Sequence, residues 1–189
     1  MALRRTVTYG TLGASDLWLE GYRSRGLLGA AFELNGPAGP VAVDWSLAGR
    51  HQAENLLAAA CCALHLGVPP WAVAGAAARL APAAHRGSVA RLESGVTVVD
   101  DSYNASPLAV RRMLELLAGS PGRRVAVLGE MLELGPTAEA LHRDCGRAAA
   151  AAAELVVAVG GQAAAALADA ARAAGCGRAE HQPDAAAAS

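Results

Sequence analysis

Asp100-Asp101-Ser102-Tyr103-Asn104-Ala105-Ser106-Pro107 stands between an apolar run, Val96-Thr97-Val98-Val99, and a stretch with helical periodicity, Pro107 to Leu117. The eight residues carry two carboxylates, a phenol, an amide and two hydroxyls. In open α/β sheets, ligands bind outside the carboxyl ends of the strands. The N-terminal end of the following helix favours anions. Acidic residues at such a turn can also hold a ribose hydroxyl or a metal-bound phosphate. Helix capping accounts for part of the run, because Ser106 ahead of Pro107 is a good N-cap. It does not account for Asp100 to Asn104. On the residues alone, a binding turn and a plain connection both remain open.

Working downstream, Arg124-Val-Ala-Val-Leu128 is a continuous apolar run, as expected of a strand buried on both faces. Thr137 to Ala153 reads as a helix with Thr137 as a possible N-cap. Leu155 to Val159 reads as another buried strand, Gln162 to Ala174 as a helix stopped by Gly175, and Arg178 to His181 as the start of a further strand. Strand, helix, strand, helix in alternation predicts an α/β fold with a mostly parallel sheet. Gly129-Glu130 and Gly160-Gly161-Gln162 are the other polar turns at strand ends. Alanines after Pro183-Asp184 read either as the first turn of a helix or as a low-complexity tail.

Working upstream, Val89–Leu92 and Val96–Val99 predict two strands joined at Ser94-Gly95. Ala81-Pro82-Ala83-Ala84 breaks the pattern and sets the expected domain boundary, with units 1–80 and 83–189. Before it, Pro69-Pro70 opens a helix from Trp71 to Leu80, and His51–Leu66 is a longer one closed by Gly67. Arg5–Tyr9, Ala30–Leu34 and Val41–Trp45 predict an antiparallel meander of short strands.

Composition removes several classes of function. The 189 residues carry a net charge of -1, and the arginines are scattered singly or in pairs, so no nucleic-acid-binding stripe exists. All 16 Lys+Arg positions are arginine. Without a lysine the chain holds no complete phosphate-binding P-loop and no Schiff-base lysine. Cys61, Cys62, Cys145 and Cys176 show no C-x-x-C spacing and read as small buried residues in a reducing compartment. Met1 to Arg5 precedes no apolar signal segment, and no stretch reads as a membrane span, which predicts a soluble cytoplasmic protein. Hydrophobic residues make up 53%, much of it alanine, and aromatics 4%, so the core must be closely packed Leu, Val and Ala.

Several segments together resemble the Mur ligase family. Asp100 to Pro107 is similar to the DDSYNANP signature of the branch that adds D-alanyl-D-alanine to UDP-MurNAc-tripeptide in peptidoglycan synthesis. Gly129-Glu-Met-Leu-Glu-Leu-Gly135, with Leu141-His142-Arg143, resembles its G-D-M-L-E-L-G…H segment. Gly49-Arg-His51-Gln-Ala-Glu-Asn55 followed by Leu-Leu-Ala-Ala-Ala60 resembles the G-x-H-N-x-x-N-A-L-A-A stretch ending the central domain. His85-Arg86 matches an arginine at the linker into the C-terminal domain. Gln52, Ser106 and Glu130 depart from the pattern, where Asn, Asn and Asp are usual.

The resemblance implies a Rossmann-like C-terminal domain with a mostly parallel sheet, preceded by the last strands and helices of the central ATP-binding domain. It places Asn55, Arg86 and Asp101 on the adenine and ribose side of ATP. It turns Ser102, Tyr103, Asn104 and Ser106 toward the amine substrate. It assigns no catalytic residue and no metal ligand to this chain; His51 and His142 read as structural residues or as supports behind the site. The implied reaction uses ATP and Mg2+ to make an acyl phosphate of the UDP-linked tripeptide, which D-alanyl-D-alanine then attacks. The P-loop, metal ligands and a modified lysine lie upstream in the family, whose chain also continues past Ser189. The chain alone is therefore expected to be an inactive, monomeric fragment of an enzyme of cell-wall biogenesis. Two alternatives are a fragment of another Mur-type or folylpolyglutamate-type ligase and a non-catalytic nucleotide-binding α/β module. The latter calls for a G-x-G-x-x-G fingerprint, which Gly160-Gly161-Gln162 does not supply.

Overall fold

A computed structural model describes residues 6–11 and 13–188. Arg4, Arg5 and with it the start of the expected Arg5–Tyr9 strand, and Ser189, lie outside the described residues. The chain divides into two compact units, Met1–Ala83 and Ala84–Ser189.

The first unit is a four-stranded sheet, β1 (Tyr9–Gly10), β2 (Leu17–Ser24), β3 (Ala30–Asn35) and β4 (Val41–Trp45), followed by helices α1 (Arg50–His65) and α2 (Pro70–Ala77). Two expectations need correction. The longest strand, β2, was absent from the predicted meander, and β1 pairs with it in parallel, not antiparallel. In β2, Leu17 and Leu19 face inward, but the alternation breaks at a bulge between Glu20 and Arg23, where Gly21 takes a φ of 63°. The core lies between one sheet face and α1, with Phe32, Val43 and Trp45 against Leu56, Leu57 and Ala60.

The second unit begins with a hairpin, β5 (Ser88–Arg91) and β6 (Thr97–Asp100), separate from the parallel sheet. Helix α3 (Pro107–Ala118) follows. Then β7 (Val125–Gly129), α4 (Ala138–Ala152), β8 (Leu155–Val159), α5 (Gln162–Ala173) and β9 (Arg178–Gln182) alternate. The three strands pair in parallel, in chain order. Their Ala126, Val156, Ala158 and Ala179 are buried with Cys145, Ala149, Leu167 and Ala171 of the helices. Small side chains let strand and helix backbones approach closely, which allows an alanine-rich core to be closely packed.

The run 124–128 is not buried on both faces as expected. Val125 and Val127 are 42% and 65% exposed, because β7 is an edge strand of this sheet and α4 and α5 cover only one face. Thr137 takes the N-cap position of α4 as expected, but its side chain makes no capping bond. Its hydroxyl donates to the Leu134 carbonyl at 3.0 Å, inside a 3-10 turn, Gly135–Thr137, that precedes the helix. At the chain end, residues 185–188 form a turn in which Asp184 Oδ1 accepts the Ala187 N–H at 2.9 Å. No described helix is long and apolar enough to cross a membrane.

Candidate functional site

The signature turn joins β6 to α3. Ser106 Oγ accepts the Ala109 N–H at 3.4 Å, with extended backbone and Pro107 in the first helical position. The Ser106 carbonyl accepts the Val110 N–H. The predicted cap is therefore present, and Ser106 spends its side chain on the helix. Asn104 Oδ1 turns back onto the Ala105 N–H at 2.9 Å, which also commits it locally.

Asp100 organises the start of the turn. Its Oδ1 accepts the Ser102 hydroxyl at 2.7 Å and the Ser102 N–H at 3.1 Å. Its Oδ2 meets His85 Nδ1 at 2.7 Å. These bonds, the Ser102 hydroxyl foremost and His85 next, hold the Asp100 carboxyl below the usual range. Ser102 is thus tied down by the carboxylate beside it, whereas Asp101 is half-buried and Tyr103 is 67% exposed.

Arg86 and Tyr103 come together. The guanidinium carbon lies 3.9 Å from the ring centroid, well inside cation–π range, and both side chains are exposed. The hairpin register explains the meeting. Ser88 pairs with Asp100, the Gly87 N–H donates to the Asp100 carbonyl at 2.9 Å, and the Tyr103 N–H donates to the His85 carbonyl at 3.1 Å. Residues 85–87 and 100–103 therefore run side by side. Of the predicted residues, the structure brings Arg86, Asp101, Ser102 and Tyr103 into one locality. Asn55 stands in the first unit, exposed on α1, with its Nδ2 donating to Gln52 Oε1 at 3.5 Å.

His85 went unassigned in the sequence reading. Pairing back from the Ser94-Gly95 turn puts Ser88 opposite Asp100, and so places His85 near the signature turn; that was the available signal.

The other two strand-end turns are occupied by their own side chains. Glu130 Oε2 accepts the Gly161 N–H at 2.6 Å at the start of α5, and the Glu130 N–H donates to the Val159 carbonyl. Gly160, at φ 136°, admits this carboxylate: a β-carbon there would sit 2.7 Å from Glu130 Cβ. His181 Nε2 reaches the Gly160 carbonyl at 2.7 Å. His142, fully buried, accepts the Met131 N–H at Nε2 (2.9 Å) and donates from Nδ1 to the Ala138 carbonyl (2.7 Å). It fixes the segment after β7 and touches no open site. An apolar cavity of about 350 Å³ in the first unit, bounded by Leu17, Leu34, Pro37, Leu64, Val68 and Val73, holds none of the predicted residues. Among the described residues, no group of three or more His, Cys, Asp or Glu is placed to hold a metal.

Residues 85–189 match the family described as Mur ligase, glutamate ligase domain. The chain is 38% identical over 133 residues to the UDP-N-acetylmuramoyl-tripeptide--D-alanyl-D-alanine ligase of Escherichia coli K12, covering 70% of this chain and 29% of that one. The crystal structure of MurF from Acinetobacter baumannii superposes with a TM-score of 0.81 at 28% identity, over 93% of this chain and 37% of that one. MurF ligase from Thermotoga maritima, solved in complex with ADP, gives a TM-score of 0.71 at 25% identity, over 94% and 44%. The chain thus spans less than half the length of each of these relatives. A profile covering more than half the chain, a fold shared with solved relatives and a signature turn in the expected place agree: the chain belongs to the Mur ligase family and corresponds to the C-terminal portion of its D-alanyl-D-alanine-adding members.

Proposed function

We propose that these residues form the C-terminal portion of an ATP-dependent ligase that joins D-alanyl-D-alanine to UDP-MurNAc-tripeptide. The observation that carries this reading is the turn Asp100–Ser106, ordered by Asp100 with Arg86 stacked on Tyr103, in a domain similar to enzymes named for that reaction. Ordered polar turns of this kind position a nucleophile toward an activated acyl group, which is where much of the rate of a two-substrate ligation comes from.

Within that reading, Asn55 and Arg86 belong to the adenine and ribose side of the nucleotide, Asp101 to the ribose, and Ser102, Tyr103, Asn104 and Ser106 to the incoming dipeptide. Ser106 and Asn104 are hydrogen-bonded to the turn itself, so their contribution is to shape the backbone rather than to reach for the ligand. All four are exposed, and Tyr103, whose ring is held by Arg86 rather than by the turn's hydrogen bonds, is best able to contact it. ATP and Mg2+ supply carboxylate activation. The chain has no lysine for the phosphates, and on this reading phosphate and metal handling are tasks of the ligase's central domain. A cytoplasmic location follows from the nature of the substrates.

The test is a hybrid. Residues 1–189 replace the matching C-terminal portion of the Escherichia coli ligase, and phosphate release is followed with ATP, UDP-MurNAc-tripeptide and different amines. The expected result is release that depends on D-alanyl-D-alanine, with none from the 189-residue chain alone. Release supported by a single amino acid and not by the dipeptide would assign the chain to another branch.

A further inference from the structure

We infer that His85 is a positioning residue that clasps the signature turn and thereby sets the Arg86–Tyr103 stack; the inference rests on the reading above for its enzymatic consequence. Three observations meet at this residue. Its Nδ1 donates to Asp100 Oδ2 at 2.7 Å, the same carboxylate that holds both the N–H and the hydroxyl of Ser102. Its carbonyl accepts the Tyr103 N–H at 3.1 Å. Its backbone adopts a φ of 59°, one of two left-handed non-glycine residues among those described.

These features form a closed circuit. Asp100 ends β6, Tyr103 lies three residues on, and His85 bridges both, once with its ring and once with its backbone. Arg86 is the next residue, so the left-handed turn at His85 decides where the guanidinium emerges. The left-handed conformation is unfavourable for an L-residue with a β-carbon, and it persists because the two hydrogen bonds hold it. Cutting the ring bond frees the backbone to relax, and the arginine then leaves the face of Tyr103. On the functional reading, Arg86 serves the nucleotide and Tyr103 the dipeptide, so one residue keeps the two halves of the site in register. His85 is 60% exposed at its side chain and buries little apolar area, so the effect is on geometry and not on the core.

The test uses three variants. His85→Asn keeps a donor near the Nδ1 position, and Asn tolerates positive φ. His85→Gly accepts the backbone conformation freely but has no donor. His85→Gln moves the donor outward by one bond. In the 189-residue chain, NMR follows the ring resonances of Tyr103. They are expected to move in the Gly and Gln variants and to stay close to the parent's in the Asn variant. In the hybrid ligase, kcat/KM for D-alanyl-D-alanine is expected to fall by about tenfold to a hundredfold in the Gly variant, the range that a displacement of about 1 Å produces, and to stay within about twofold in the Asn variant. Unmoved Tyr103 resonances in the Gly variant overturn the clasp. So does an Asn variant as damaged as the Gly variant, whereas moved resonances with unchanged kcat/KM overturn the residue's part in positioning the site for the reaction. A hybrid without dipeptide-dependent turnover overturns the functional reading instead, and the NMR comparison on the chain still decides the clasp.

Discussion

His142 and Glu154 show how single residues fix this fold in different ways. His142 is a buried donor–acceptor bridge: its Nδ1 proton goes to the Ala138 carbonyl one helical turn back, and its Nε2 lone pair takes the Met131 N–H. His142→Ala is expected to lower unfolding free energy by about 3 kcal/mol, since it opens a cavity and leaves a buried N–H without an acceptor. His142→Gln should recover part of this, because its side-chain oxygen can reach the Met131 N–H; chemical denaturation of both variants measures the difference. Glu154 works at the surface. Its carboxylate holds the Arg124 guanidinium at 2.6 Å and the Arg124 N–H, and these bonds lower its pKa from 4.5 to about 2. A depressed carboxylate stabilises the fold fully above its unfolded pKa and loses that contribution as pH falls through the folded value. Stability should therefore decline between about pH 5 and pH 2, and more steeply in the parent than in Glu154→Gln. Equal slopes in acid titrations followed by circular dichroism would remove Glu154 from the account.

Among elements, the packing of α4 on α5 turns on Gly146. It sits mid-helix, where glycine is a poor choice by propensity. Yet a β-carbon there would lie 2.2 Å from the Leu167 carbonyl oxygen and 3.1 Å from Ala170 Cβ. Gly146→Ala gains about 1 kcal/mol of helix propensity but must push the two backbones apart, an overpacking cost of about 1–3 kcal/mol that here falls on backbone unable to rotate away. Net destabilisation with a lowered thermal midpoint is the expected outcome, and a raised midpoint would contradict the close approach. Ser106→Ala should cost about 1 kcal/mol through loss of the α3 cap, and thermal melts of the same variant set can check it. Elements of this kind were legible in the sequence where periodicity and caps agreed, as in α1, α3 and α5. They were illegible where tertiary context decided. A continuous apolar run looks alike at a sheet's edge and centre, so β7 was misjudged. A bulge at Gly21 cut the alternation of β2 before it could be counted. The candidate site divides in the same way. Asp100 to Ser106 stood out by residue type alone, whereas His85, 15 residues earlier in the chain, joins it only through the hairpin register.

At the scale of the molecule, the two units own separate cores. Leu17, Phe32, Trp45, Leu57 and their neighbours form one; Val110, Leu114, Val156, Leu167 and theirs form the other. The segment Ala81-Pro82-Ala83-Ala84 contributes no residue to either. A unit with its own buried core, helix caps and paired strands has what cooperative folding requires. Residues 84–189 also contain the hydrogen bonds of the clasp: His85 to Asp100, Ser102 to Asp100, and Tyr103 to His85. Excised as a polypeptide, this unit is expected to unfold in a single urea transition and to keep the Tyr103 ring resonances of the whole chain. Its denaturant slope should be smaller than that of a protein of the full 189 residues, because the slope follows the surface exposed on unfolding. A gradual, non-cooperative loss of ellipticity would mean that the unit's core depends on the first 83 residues. Retained cooperativity with displaced Tyr103 resonances would mean that the turn alone does. Both outcomes are readable because the hydrogen bonds of Asp100, Ser102, Asn104 and Ser106 run between residues 85 and 109.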